Sequence, residues 1–316
     1  MQRVRTMMAV GALAAALLGA PGAALAWSNQ GHMITGAVAY DDLAAKDAAL
    51  VAQVEQIMAA HPDKARFEAG LQGLTGEARS RRLFELMARW PDDARRGPYD
   101  HPAWHYWLRI VPSTADPAKA PPALLAMTTG EAAEAYGLSL ATVRDAYAAP
   151  ADRAVALCWL FHLAGDIQQP LHAAHLISGR FPMTDQAGSI DFVRGAAGAA
   201  PMGLHEYWDD AIGGDNDDDA NVEAQRLRLE ADWPRAKYAE LTGAADGAAF
   251  RAWADESLEL ARTTTYAGGT FEGAAKPADA PVLVADYVAT VKSLGSRRIA
   301  LGGHRIADGV RAALGH

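Results

Sequence analysis

Apolar residues recur at three- and four-residue intervals along most of this chain. Few stretches alternate apolar with polar residues as a half-buried strand requires. The spacing predicts helices over 32–45, 47–60, 77–96, 129–148, 151–168, 204–211, 219–242, 246–266 and 280–314. Two segments interrupt it. Pro112 to Pro122 and Ser178 to Gly203 carry the prolines, glycines and small polar residues of loops, the second with a short strand at Ser189–Val193. No internal repeat and no strong shift of composition divides the chain. The expectation is all-α: a single mostly helical domain with at most a small β-hairpin.

The first 26 residues follow a different pattern. Arg3 and Arg5 precede an apolar run from Met7 to Leu18, and Ala24-Leu25-Ala26 forms a small-x-small cleavage box. The run is too short and too broken by Gly and Pro for a membrane anchor, so residues 1–26 read as a signal peptide. Residues 27–316 form the working domain of a secreted or periplasmic protein with no membrane anchor, expected to be a monomer. Cleavage would make Trp27 the amino terminus, and its α-amine and carbonyl can together chelate a metal. It also removes two arginines and no acid, moving the net charge from −9 to −11. Binding nucleic acid by surface charge alone calls for a basic protein. In this acidic one, bound cations would have to meet a phosphate.

Within the predicted helix 151–168, His162 and Asp166 stand four apart and project from one face of an otherwise apolar segment. Pro170 ends that helix and turns His172 back toward it. An ionisable pair on an apolar face is costly without compensation, and a metal ion supplies it. The same His-x-x-x-Asp spacing returns at His205 and Asp209. Taken alone, His105 reads as a core residue in an aromatic stretch and Asp92 as a surface cap. Of ten histidines, however, five (His32, His105, His162, His172 and His205) sit in such contexts. With Asp92, Asp166, Asp209 and Trp27 they form a set too large for one tetrahedral ion. Imidazoles and carboxylates without thiolate suit zinc best among common ions.

The remaining polar features change little. Cys158, the only cysteine, excludes a disulfide framework and reads as a small buried hydrophobe, with a thiolate ligand as the alternative. Asp209 to Asp219 lacks the ligand spacing of a calcium loop and reads as a solvated loop. His304 and His316 have no carboxylate at ligand spacing and stay outside the site.

The whole of 27–316 resembles the trinuclear-zinc, single-strand-specific nucleases and 3′-nucleotidases of mung-bean-nuclease type. The resemblance rests on Trp27…Gly31-His32, Trp90-x-Asp92-x-x-Arg95, His105-Tyr106, His162-x-x-x-Asp166-x-x-Gln169-Pro-Leu-His172 and Leu204-His205-x-x-Trp208-Asp209. Trp253-x-x-Glu256-Ser257 and Gly302-Gly303-x-Arg305 match more weakly. It implies three zinc ions. Asp92, His105, His162 and Asp166 would hold the first. Trp27, His32 and Asp166 would hold the second, and His172, His205 and Asp209 the third. It further implies hydrolysis of single-stranded DNA, RNA and 3′-nucleotides by a metal-activated hydroxide, with Arg95 meeting the phosphate and 5′-phosphate products. Base preference would come from aromatic stacking, for which Tyr106, Trp107, Phe181 and Phe192 are the candidates.

The chain departs from the family pattern in two places. Leu108 stands where relatives often carry an acid near the attacking water. The usual Asp-x-Gly-Gly-Asn is here Asp185-Gln-Ala-Gly188-Ser189. The disulfides of eukaryotic members cannot form. Two other readings compete. A zinc-dependent phospholipase C shares the terminal Trp and the central spacing, but its first His lies further from the Trp and its last ligand is typically Glu. A secreted zinc-binding protein without catalysis would need only the ligands.

Overall fold

A computed structural model describes residues 27–213 and 218–315. The proposed signal peptide, His316 and the centre of the acidic run lie outside the described residues. Among the described residues, eleven α-helices carry the fold: α1 Asn29–Lys46, α2 Ala48–Met58, α3 Lys64–Gly70, α4 Gly76–Asp93, α5 Pro122–Leu125, α6 Ala132–Arg144, α7 Pro150–Asp166, α8 Leu204–Asp209, α9 Asp219–Asp232, α10 Gly247–Leu260 and α11 Ala285–Leu314. The expected mostly helical architecture is what forms.

Helix α1 is buried along most of its length because it packs against both α4 and α11. Both crossings need glycine. A Cβ on Gly36 would lie 2.2 Å from the Phe84 carbonyl oxygen, and one on Gly303 2.5 Å from Val38 Cβ. Helix α7 begins at Pro150, a residue suited to the first turn. From Ala156 onward it is buried on every side, against α4, α6 and α11. One core cluster gathers around α7 and α4 (Phe84, Trp90, Trp159, Phe161), and a second around α8 and α11 (Trp27, Trp208, Tyr266, Ile299).

The β content exceeds the expected hairpin. That hairpin exists, as β4 Phe192–Val193 pairing antiparallel with β5 Met202–Gly203. In addition, β1 Leu108–Pro112 pairs antiparallel with β2 Thr128–Thr129 and parallel with β3 Ala174–Ile177, in register Arg109↔Ala174. Strand β3 is buried at all four positions, so it shows no alternation to read. The sheet fixes the site: Trp107 N donates to the His172 carbonyl at 2.9 Å, tying the segment after His105 to the turn that carries His172.

Several boundaries also shift. The helix expected to reach 242 ends at Asp232, just before Pro234, and α10 closes in a π-helical turn, Ala261–Thr265. Among the described residues, no helix is long and apolar enough to cross a membrane.

Candidate metal centre

The central motif folds as its spacing dictates. His162 and Asp166 lie on the last turns of α7, with His162 Nε2 3.2 Å from Asp166 Oδ2. The remaining side chains arrive from separate elements. His32 comes from the first turn of α1, whose N-cap Ser28 accepts from Gly31 N. Asp92 comes from the last turn of α4. His105 ends a 3-10 turn, Pro102–His105, and His172 ends another, Pro170–His172. His205 and Asp209 share one face of α8, with Nε2 and Oδ2 3.6 Å apart.

All eight of these imidazoles and carboxylates are buried, and all converge. His32, Asp92 and His162 form one group, His105, His162 and Asp166 a second, and His172, His205 and Asp209 a third. The first two groups merge. His32 Nε2 lies 3.4 Å from both Asp92 Oδ2 and Asp166 Oδ1, while His105 Nδ1 lies 3.0 Å from Asp166 Oδ2. Asp166 therefore stands between the two groups that share His162, with one oxygen toward each, and its Oδ2 lies 3.8 Å from His172 Nδ1.

Three backbone carbonyls aim the imidazoles. His162 Nδ1 donates to Ala88 O at 2.8 Å, His172 Nδ1 to His105 O at 2.6 Å and His205 Nδ1 to Ala187 O at 2.7 Å. A carbonyl can only accept, so each ring carries a proton at Nδ1 and turns Nε2 inward. His172 Nε2 and His205 Nε2 then face each other at 3.2 Å, a spacing that one cation shared between them satisfies.

Electrostatics and unmet polar atoms agree with this. Burial drives His32 down to about 3, helped by His162, and burial drives His172 to about 3. Both rings are neutral donors. Against the opposing effect of burial, the neighbouring histidines hold Asp166 well below the ordinary carboxylate range, and His162 and Arg95 hold Asp92 at about 2. Asp209 is pushed well above that range by burial, against the hydrogen bond from Gln169. His32 Nδ1 and Nε2, Asp92 Oδ2 and Asp166 Oδ1 are buried without a hydrogen-bond partner. Unpaired buried nitrogens and oxygens pointing at one another form a cation site, and the donor types fit zinc.

Trp27 is fully buried, and its indole Nε1 donates to the carbonyl of Gly165, the residue before Asp166. Ser28 N donates to the Asp209 carbonyl at 3.2 Å. Trp27 and Ser28 thus reach both the second and the third predicted ligand groups. Arg95 sits at the rim of the site, its Nε and Nη2 donating to Asp92 Oδ1 at 2.9 and 2.6 Å. Tyr106 is half-buried and stacks on His172, with centroids 4.7 Å apart. Phe181 is core, and Leu108 is buried in β1 with no carboxylate at its position. Cys158 lies 3.9 Å from Met58 Sδ, and burial pushes its thiol well up, so the thiolate alternative fails. His304 finds Asp42 at 2.6 Å, a partner 262 positions away, and stays outside the site.

Two supporting residues had no assigned role from the sequence. Gln169 Nε2 donates to Asp209 Oδ1 at 2.8 Å; its place between Asp166 and Pro170 was the available signal. His175, three residues past His172, had none beyond being a histidine in an apolar run. No match was found among curated proteins. The family model described as S1/P1 Nuclease matches residues 27–314, nearly the full length, and the chain belongs to that family of nucleic-acid hydrolases.

Proposed function

We propose that this nuclease is an exported, zinc-dependent phosphodiesterase. It would cut single-stranded DNA and RNA to 5′-phosphate products and remove the phosphate of 3′-nucleotides. The observation that carries the reading is the burial of eight imidazole and carboxylate side chains around shared points, with His172 Nε2 and His205 Nε2 3.2 Å apart. Three zinc ions are the proposed occupants. Asp92, His105, His162 and Asp166 hold the first; the Trp27 amine and carbonyl with His32 and Asp166 hold the second; His172, His205 and Asp209 hold the third. Bound zinc supplies a hydroxide at neutral pH and a positive field for phosphate.

The chain's own groups do the rest. Asp166, with one oxygen toward each of the first two groups, keeps them in fixed relation. Arg95, anchored on Asp92, orients the phosphate and takes up negative charge on its oxygens. Half-exposed Tyr106, packed on His172, supports a base by stacking. The ligands are recessed, which favours a splayed single strand over a rigid duplex. Export follows from the Ala24-Leu25-Ala26 box, and the family match beginning at Trp27 supports that boundary.

The test is to assay protein starting at Trp27, loaded with zinc, on single-stranded DNA, RNA, 3′-AMP and phosphatidylcholine. Elemental analysis runs alongside. Cleavage of the nucleotide substrates with zinc near three equivalents is expected. Hydrolysis of the lipid alone, or bound zinc with no phosphoesterase activity at all, would overturn the reading.

A further inference from the structure

His175 lies in β3, buried and outside every ligand group. Its Nδ1 accepts the N–H of Ala187 at 2.9 Å. An accepting Nδ1 places the ring proton on Nε2, which faces Thr129 Oγ1 at 3.4 Å. Burial, with His205 nearby, drives the ring to about 3, so it is neutral.

Ala187 is the middle of three consecutive left-handed residues: Gln186 at φ 55°, Ala187 at φ 58° and Gly188 at φ 82°. Side chains with a Cβ rarely adopt this conformation, and it persists only where the surroundings over-determine it. The position of Ala187 is also where the resemblance led to an expected glycine. The Ala187 carbonyl accepts the Nδ1–H of His205 at 2.7 Å. The turn presses close to α8, since a Cβ on Gly188 would lie 2.9 Å from His205 N and 2.9 Å from Leu171 Cδ1. A single residue, Ala187, therefore links His175 to His205.

We propose that His175 is a positioning residue for the third ligand group. By holding the Ala187 N–H it fixes the left-handed turn, and the Ala187 carbonyl in turn fixes the tautomer and aim of His205. The inference rests on reading His172, His205 and Asp209 as a zinc site. Outer hydrogen bonds of this kind typically tune metal affinity by about 10- to 100-fold.

Asn and Leu have nearly the same shape, but only the Asn carboxamide oxygen reproduces an acceptor at the place of Nδ1. Zinc affinity is measured by competition with a chromophoric chelator on His175→Asn, His175→Leu, His205→Ala and wild type, with zinc equivalents counted after dialysis. His205→Ala should lose about one equivalent. His175→Leu should weaken only the most loosely held ion, by about 10- to 100-fold, and its turnover should recover in excess zinc. His175→Asn should restore near wild-type affinity. If the Leu variant does not fold, His175→Gln, whose oxygen reaches past the Nδ1 position, gives the same contrast with Asn. Equal zinc affinity in the Asn and Leu (or Gln) variants, with His205→Ala still losing an ion, refutes the relay and leaves the third site standing. Full zinc retention by His205→Ala refutes the site and the relay together.

Discussion

The indole of Trp27 donates a 3.0 Å hydrogen bond to the carbonyl of Gly165, 138 positions away and one residue before Asp166. The start of the described chain is thereby fastened beside the carboxylate that joins the first two ligand groups. There is little freedom to relax, since Trp27 is fully buried and its Cβ would lie 2.6 Å from any Cβ on Gly31.

This anchoring makes the terminus testable. A protein that keeps one residue before Trp27 has a peptide nitrogen where the proposed amine ligand belongs, and a peptide nitrogen is a poor donor. It should bind about one zinc fewer and lose most activity. Elemental analysis and 3′-AMP hydrolysis on Trp27-start and Met-Trp-start proteins check this. Equal zinc and equal turnover would remove the amine from the ligand set.

His162 is held by Ala88 O at 2.8 Å and lies 3.2 Å from Asp166 Oδ2. His162→Ala leaves the buried Ala88 carbonyl without its donor and takes from Asp166 one of its imidazole neighbours. A stability loss of about 3–5 kcal/mol is expected, with activity abolished. Denaturant unfolding of zinc-loaded protein reads the first, and turnover near wild type would contradict the assignment.

Arg95 donates twice to Asp92 from the rim of the site. Arg95→Ala should lower turnover by about 100- to 1,000-fold, the loss seen when a donor to developing charge is removed. Zinc content should hold, because Asp92 Oδ2 still faces His32. Loss of zinc in the variant would recast Arg95 as a support for Asp92 alone.

Away from the site, His61 packs edge-on against Phe67 and Trp90, and its Nδ1 accepts Asp63 N. Burial lowers it to about 4, against the pull of Asp63. A histidine whose folded pKa lies below its unfolded value near ~6.5 stabilises the fold above that value. That contribution fades as pH falls from about 6.5 toward 4, and amounts to about 2 kcal/mol. Wild type should therefore lose about that much more stability than His61→Gln between pH 7 and pH 4. Chemical denaturation of zinc-free protein at the two pH values measures the difference, and identical pH slopes would rule it out.

Much of this site could be read from the chain because two of its pairs are local. His162 with Asp166, and His205 with Asp209, sit four apart on helices, and helical geometry alone puts each pair on one face. The proline after α7 likewise announced the return of His172. Harder to read were residues whose neighbours are remote. Leu108–Pro112 and Ala174–Ile177 are short and mostly without alternation, and their parallel pairing spans 65 positions, so no period marks them. His175 and Ala187 gain their roles only through that sheet and the turn beyond it.

By itself, then, the order of residues determined a mostly helical chain, its ligand types and two ready-made pairs, because those depend on interactions within a few positions. Only the tertiary structure decided which pairs share a centre, that Trp27 docks beside Gly165, and that a strained peptide aims His205. Those contacts are closed by packing between distant segments, and packing leaves no repeat in the sequence.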